Sequence, residues 1–254
     1  MDTSVGDANF YDRVAARFGE YRTGARYETK FRTENAERVF QQKLTDLGGP
    51  EVTALDAGSG DGRFTLSMAR YFRRVVGIDT SQKMLAVAQR RAAEQGITNV
   101  LFEYQDASAT RFPDASFDVV YSRRGPTKYR EYDRLLRPGG AFLHVGIGEQ
   151  DALQLKQIFG RGQGFDRIHS SWLARSRDFQ EEAGLNVVYG EDFLYDEYFL
   201  TFEDLETFLQ GVPIFEDFDP VADRERLQAY VEQAQTTRGI HMLRHRFVTV
   251  AVKP

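Results

Sequence analysis

An apolar run that breaks into three closely spaced glycines constrains this chain more than any other feature. Val52–Asp56 (VTALD) is followed by Gly58, Gly60 and Gly62, and then by Arg63–Phe72, where Phe64, Leu66, Met68 and Ala69 suit a helix. A strand feeding a helix through such a turn is the unit of parallel α/β sheets. Glycines let the backbone turn sharply and approach a ligand with no Cβ in the way. The helix start beyond them leaves unpaired amides for an anionic group. Alone, the pattern leaves several nucleotide-binding chemistries open, dinucleotide dehydrogenases among them.

The alternation continues. Strands are predicted at Val75–Asp79, Val100–Tyr104, Phe117–Tyr121 and Ala141–Ile147. Between them, a helix is predicted from a Thr80 or Ser81 cap to about Arg91, and another over Thr127–Leu136, closed by Arg137-Pro138-Gly139-Gly140. After Gly148 the pattern loosens. Helices are expected at Ala152–Ile158, Ser171–Ala183, Phe202–Leu209 and Arg224–Gln235, with a glycine-rich loop at Phe159–Phe165. Asn186–Val188 and Phe193–Tyr198 suggest an irregular strand, and Arg246–Val252 a closing one. Near the start, Phe10, Val14, Phe18 and Tyr21 recur at helical spacing, and Phe31–Leu47 reads as a second helix.

Composition narrows the chemistry. With no cysteine among 254 residues, disulfide scaffolds, thiolate nucleophiles and cysteine-bound metals are excluded. No His, Asp and Glu spacing suggests a metal site. The opening MDTSVGDANF lacks the basic start and apolar stretch of a secretory signal, and no apolar run spans a bilayer, so a cytoplasmic protein without membrane partners is expected. A net charge of −5 argues against a nucleic-acid partner. The charge is segregated: Arg13–Arg32 carries six basic and two acidic residues, Lys156–Arg177 five and one, and Glu191–Glu225 one and twelve. Oppositely charged segments are expected to face each other or to solvate the surface. Oligomeric state is not readable.

Three acids sharpen the reading. Asp79 ends the second strand, where a carboxylate can accept both hydroxyls of a ribose. Asp56 precedes the glycine turn, a position awkward for a pyrophosphate but suited to an ammonium group. Asp106 follows the third strand, where it can accept from an exocyclic adenine amine. The ligand implied carries an amino acid, a ribose and an adenine.

From Val52 to Gly148 the chain resembles the class I S-adenosylmethionine-dependent methyltransferases, in wording closest to the small-molecule branch related to quinone biosynthesis. The likeness lies in LDAGSGDGRF (Leu55–Phe64), VVGIDTSQKML (Val75–Leu85), Asp106, FPDASFDVVYS (Phe112–Ser122) and LLRPGGAFL (Leu135–Leu143), in that order. It implies a Rossmann-like α/β fold, with a seven-stranded, mostly parallel sheet between helices and a last antiparallel strand that Arg246–Val252 would supply. The chain departs from the family in the long helical stretch Phe202–Gln235, where a short hairpin is usual. One domain over residues 1–254 is expected, with helical cover at 1–47, a cofactor-binding core at 48–150 and a helical insertion at 197–240 over the substrate cleft.

The resemblance implies S-adenosylmethionine as cofactor. Asp56, Gly58, Ser59 and Gly60 would surround its methionine portion. Asp79 would hold the ribose, with Thr80 and Met84 beside the adenosine. Asp106 and Ala107 would meet the adenine edge, and Ser122 would close the floor. The implied reaction is direct in-line transfer to a small-molecule acceptor, with RNA methylation or non-catalytic cofactor binding as alternatives. The loop Ser122-Arg123-Arg124-Gly125-Pro126 replaces the tetrad typical of adenine-amine methylation in nucleic acid. Its two arginines suggest an anionic acceptor, with Arg161 extending the patch, unless they pair with the acidic C-terminal part. His144, on the fifth strand, is the candidate base. His169, His241 and His245 read as surface or capping residues. Tyr11, Tyr21 and Tyr27 are candidates to close over the cofactor, or plain packing.

Overall fold

The computed structural model describes residues 8–18 and 23–254. In chain order the elements are α1 (Ala8–Phe18), β1 (Tyr27–Phe31), α2 (Ala36–Asp46), β2 (Gly49–Ala57), α3 (Arg63–Met68), β3 (Phe72–Asp79), α4 (Gln82–Glu94), β4 (Val100–Tyr104) and β5 (Phe117–Arg123). There follow α5 (Tyr129–Leu135), β6 (Leu136–Ile147), α6 (Leu153–Phe159), α7 (Trp172–Glu182), β7 (Asn186–Phe199), α8 (Phe202–Leu209), α9 (Arg224–Ala234), β8 (Gln235–Thr236) and β9 (Gly239–Val252).

The strands form one sheet in the order β1-β7-β9-β6-β5-β2-β3-β4, with β8 added on β9. From β6 through β5, β2 and β3 to β4 every pairing is parallel, and β9 runs antiparallel between β6 and β7. The expected mixed α/β sheet is present, but with nine strands among the described residues rather than seven. Phe31 ends a strand instead of starting a helix: Tyr27–Phe31 pairs antiparallel with Tyr195–Phe199 and makes the sheet edge. The cover at residues 1–47 is therefore part strand. The irregular strand before Phe202 is continuous from Asn186 to Phe199, with a register shift between Val187 and Tyr189. Tyr21 lies outside the described residues.

Both faces of the parallel strands are covered, which explains their nearly continuous apolar runs. On one face α2 and α3 pack Phe40, Leu44 and Met68 against Val75, Tyr121, Leu143 and Val248. On the other, Tyr132 and Leu135 of α5 meet Leu55, Val120 and Phe142. A second core joins α6, α8 and α9 to the far ends of β7 and β9 through Leu155, Phe159, Leu209, Leu227, Phe199 and Met242. The segregated charges do meet: Arg26 pairs with Asp204 at 3.2 Å and Arg32 with Asp196 at 2.7 Å. No helix among the described residues is long and apolar enough to cross a membrane.

Candidate functional site

The site lies where the crossover connections diverge. β2 has β3 on one side and β5 on the other, and in open α/β sheets ligands bind outside the carboxyl ends at such a point. The glycine turn after β2 and the loop after β5 touch there. Gly58 adopts φ +87°, and a Cβ on it would lie 2.7 Å from Cδ of Pro126. Gly60 adopts φ +52°, yet a Cβ there would meet nothing within 4 Å. One glycine is needed for packing; the other opens the turn outward.

Asp56, Asp79 and Asp106 stand at or just beyond the carboxyl ends of the adjacent strands β2, β3 and β4. Asp56 is buried beside Tyr121 and accepts a 2.6 Å hydrogen bond from Thr65 Oγ1 of α3. Burial pushes its carboxyl up to about 7. Asp79 accepts from the amide of Gly60 at 2.9 Å and from that of Ser81 at 2.8 Å, so it ties the glycine turn to the start of α4. Burial holds Asp79 above the usual carboxylate range despite those amides. Asp106 is exposed, and the amide and hydroxyl of Ser108 hold it below that range.

The remaining expected residues lie on the elements and loops next to these three. Thr80 is exposed at the tip of β3, and Met84 is buried in the first turn of α4. Ser81, not Thr80, caps α4, accepting from the Met84 amide, and its own hydroxyl donates to Asp12 of α1 at 2.5 Å. Ser59 and Ala107 are buried. Ser122 is fully buried and donates to the carbonyl of Pro126 at 2.8 Å, so it shapes the loop against which Gly58 packs.

The arginines divide. Arg123 and Arg124 both reach Glu37 of α2, at 2.6 and 3.2 Å, and not the acidic C-terminal part. Burial would raise the Glu37 carboxyl, but the two guanidiniums hold it below its ordinary value. Arg124 adopts φ +55°, a conformation costly for a side chain of its size and found at constrained functional loops. Arg161 does not extend this pair as expected; it is engaged by Asp223 at 2.7 Å and Asp217 at 3.1 Å.

His144 lies on the face covered by α5 and α7, against Phe142 and Phe247. It borders a cavity of about 60 Å³ with Arg167, Trp172, Phe179 and Gly125. Burial pushes its imidazole down to about 3, so the ring is neutral at ordinary pH. His245 is buried and faces Asp192 at 2.9 Å, contrary to the surface reading, and His241 meets Asp196 at 2.7 Å.

Sequence reading missed Thr65 and Glu37, whose partners lie 9 and 86 positions away. It also missed a buried charged group on β7 and β9, next to the chain leaving β6. There Arg244 bonds Asp151 at 2.9 Å and Glu197 at 2.6 Å, and Arg246 bonds Asp151 at 2.5 Å. The only signal in the sequence was a pair of arginines, Arg244 and Arg246, on alternate positions of the run GIHMLRHRFV.

Residues 54–140 match a family described as a methyltransferase domain. Over 156 residues the chain is 39% identical to 27-O-demethylrifamycin SV methyltransferase of Amycolatopsis mediterranei, covering 54% of this chain and 55% of that protein. Over 130 residues it is 37% identical to phosphoethanolamine N-methyltransferase 1 of Arabidopsis thaliana, covering 42% of this chain and 26% of that protein. The chain thus spans about a quarter to just over half the length of these curated relatives. A crystal structure of a functionally unknown protein from Deinococcus radiodurans R1 has the same fold, with a TM-score of 0.67 at 20% identity over 97% of this chain and all of that one. Residues 54–140 are therefore a methyltransferase domain, built on the Rossmann-like fold of the class I methyltransferases.

Proposed function

We propose that the chain transfers the methyl group of S-adenosylmethionine to a small-molecule acceptor by direct in-line displacement. The observation that carries this is the set of three carboxylates at the ends of neighbouring strands around an outward-opening glycine turn. The residues suit that cofactor. Asp56 offers a desolvated carboxylate to an ammonium group, and Gly60 leaves space where a side chain would stand. Asp79, fixed by two amides, keeps lone pairs for ribose hydroxyls. Thr80, Met84, Asp106 and Ala107 would border the adenosine.

The cofactor supplies an already activated methyl group on a sulfonium. The protein must then hold the acceptor atom in line and exclude water, and orientation of this kind can contribute roughly 7–11 kcal/mol in favourable systems. The loop from Ser122 to Pro126 borders the glycine turn and so frames the approach. Arg123 and Arg124 on that loop favour an acceptor bearing negative charge; the relative named for phosphoethanolamine acts on a phosphate ester. We assign His144 no proton transfer, because a buried imidazole near pKa 3 is a poor base at neutral pH. The helices of residues 197–240 would wall the acceptor chamber.

Calorimetry with S-adenosylmethionine and S-adenosylhomocysteine tests cofactor binding, and incubation of labelled donor with a metabolite extract tests transfer. Binding with label recovered in a small molecule is expected. No heat with either ligand would overturn the proposal, and tight binding with no transfer would reduce the chain to a cofactor sensor.

A further inference from the structure

The sheet register gathers charge on one face beyond the cofactor side. Arg246 pairs in register with Phe193 and Ile147, and Arg244 with Tyr195, so both arginines share the face of Val145 and Arg123. Asp151 is drawn in beneath them by the chain leaving β6. Its Oδ1 accepts from Arg244, Arg246 and the amide of His245, and the next residue, Ala152, holds φ +52° while its amide bonds Leu243. A non-glycine residue in that conformation marks a backbone held by its surroundings.

Lys156, one turn into α6, is 2% exposed. Its stem lies under the glycine-rich loop: a Cβ on Gly162 would come within 3.0 Å of Lys156 Cγ. Among the described residues its ammonium makes no hydrogen bond or ion pair, and its Nζ is not one of the fully buried unpartnered atoms, so the tip of an otherwise buried stem faces solvent in the field of Asp151, Arg244 and Arg246. Three buried cations, Lys156, Arg244 and Arg246, therefore share two buried carboxylates, Asp151 and Glu197, and both carboxylates are already taken by the arginines. Among the described residues the ammonium is the one cation of the three left open at its tip to pair with an incoming anion. Tyr195 supplies none, since burial holds its phenol neutral well past physiological pH. Burial also pushes the ammonium down to about 8, the direction expected of a lysine lacking its counter-ion.

We propose that Lys156, backed by Arg244 and Arg246, is the anchor for a carboxylate or phosphate group of the methyl acceptor. This deepens the methyltransferase reading and rests on it for the word acceptor. The anion site itself stands on the unmatched cation. The arginines carry their own carboxylates into the site and set its field, so Lys156 is the group left to make the new bond. Rings above the arginines (Phe208 at 5.2 Å from Arg244, Tyr195 at 5.7 Å from Arg246) would flank the rest of the molecule.

The test uses the full chain, with inorganic phosphate and acetate as probes against sodium chloride at matched ionic strength. Thermal melting and calorimetry are read for the wild type, K156M and K156R. Saturable stabilisation of the wild type by phosphate or acetate is expected, and whichever acts identifies the group. In K156M the apparent affinity should fall at least tenfold, while K156R retains it. Without anion, K156M should melt no lower than the wild type, since it loses an uncompensated charge. Equal stabilisation of wild type and K156M, no stabilisation of the wild type, or failure of K156M to fold would each overturn the proposal. S-adenosylhomocysteine affinity, measured on the same samples, should not change; its absence from the wild type would instead overturn the methyltransferase reading.

Discussion

Gly58 and Pro126 are packed so closely that a single added carbon on the glycine would sit 2.7 Å from the proline ring. The contact joins the loops after β2 and β5, and it separates two glycines that look alike in sequence. G58A should be destabilised by about 2 kcal/mol, from the clash together with the left-handed backbone. G60A should lose only about 1 kcal/mol, for the backbone alone, yet bind S-adenosylhomocysteine far more weakly. Urea unfolding and calorimetry on both variants check this. Similar binding losses with similar stabilities would show that the two positions do not differ.

Asp56 makes stability and binding oppose each other. Its carboxyl is raised by burial from 3.8 to about 7 in the folded chain, so the folded state holds the proton more tightly than the unfolded one. Stability from this group is present below pH 3.8 and is lost as the pH rises through about 7. D56N keeps the Thr65 contact and removes the ionisation, so it should be more stable than the wild type above pH 7 by roughly 1–3 kcal/mol. It should also lose most of its affinity for S-adenosylmethionine. Near neutral pH, binding to the wild type should release a proton, seen as a dependence of the binding heat on buffer ionisation enthalpy. D56N should show no such dependence.

His144 leads to a different expectation. An imidazole held near pKa 3 cannot titrate between pH 5 and 9, and its buried Nδ1 has no partner among the described residues. H144L should raise stability by about 1 kcal/mol, because an unpaired buried polar atom is removed. It should leave the shape of the activity–pH profile unchanged. Loss of an acidic limb in H144L would restore the histidine as a proton carrier.

Glu37 holds two guanidiniums, and E37Q would leave both with a neutral partner. The group is about one-third exposed, so the loss should be about 1–2 kcal/mol rather than the larger figure for a fully buried pair. Arg124 and Arg123 outweigh burial and hold the carboxyl below 4.5; its stabilising effect is present above that pH and fades as the pH falls through the folded value. The gap in denaturant midpoint between E37Q and the wild type should therefore be full at pH 7 and narrow progressively as the pH is lowered below 4.5.

The candidate cofactor side was legible because its chemistry is written locally. Leu55–Phe64 contains strand, turn and helix start within ten residues, and β4 and α8 fall at Val100–Tyr104 and Phe202–Leu209 as their patterns predict. The polar run of β1, YETKF, carries no comparable signal. It becomes a strand only because Tyr195–Phe199, far along the chain, offers a free edge. The charged group around Asp151 was illegible for the same reason. Its members sit on α6, β7, β9 and a loop, and only the register of two long antiparallel strands brings them together. The arginines of the loop after β5 were found, but their partner was not, since Glu37 is an ordinary first-turn acid of a helix.

β7 and β9, fourteen residues each, pass through both hydrophobic cores: Val248 and Val250 belong to the first, Ile240 and Met242 to the second. They act as a shared beam, so the part carrying α8 and α9 cannot swing away from the cofactor half without breaking the pairing that defines the sheet. If, as proposed, that part walls the acceptor, its chamber is cast at folding. Discrimination between acceptors would then come from a fixed mould, and widening the range of molecules it admits would call for new side chains along its wall rather than a looser hinge.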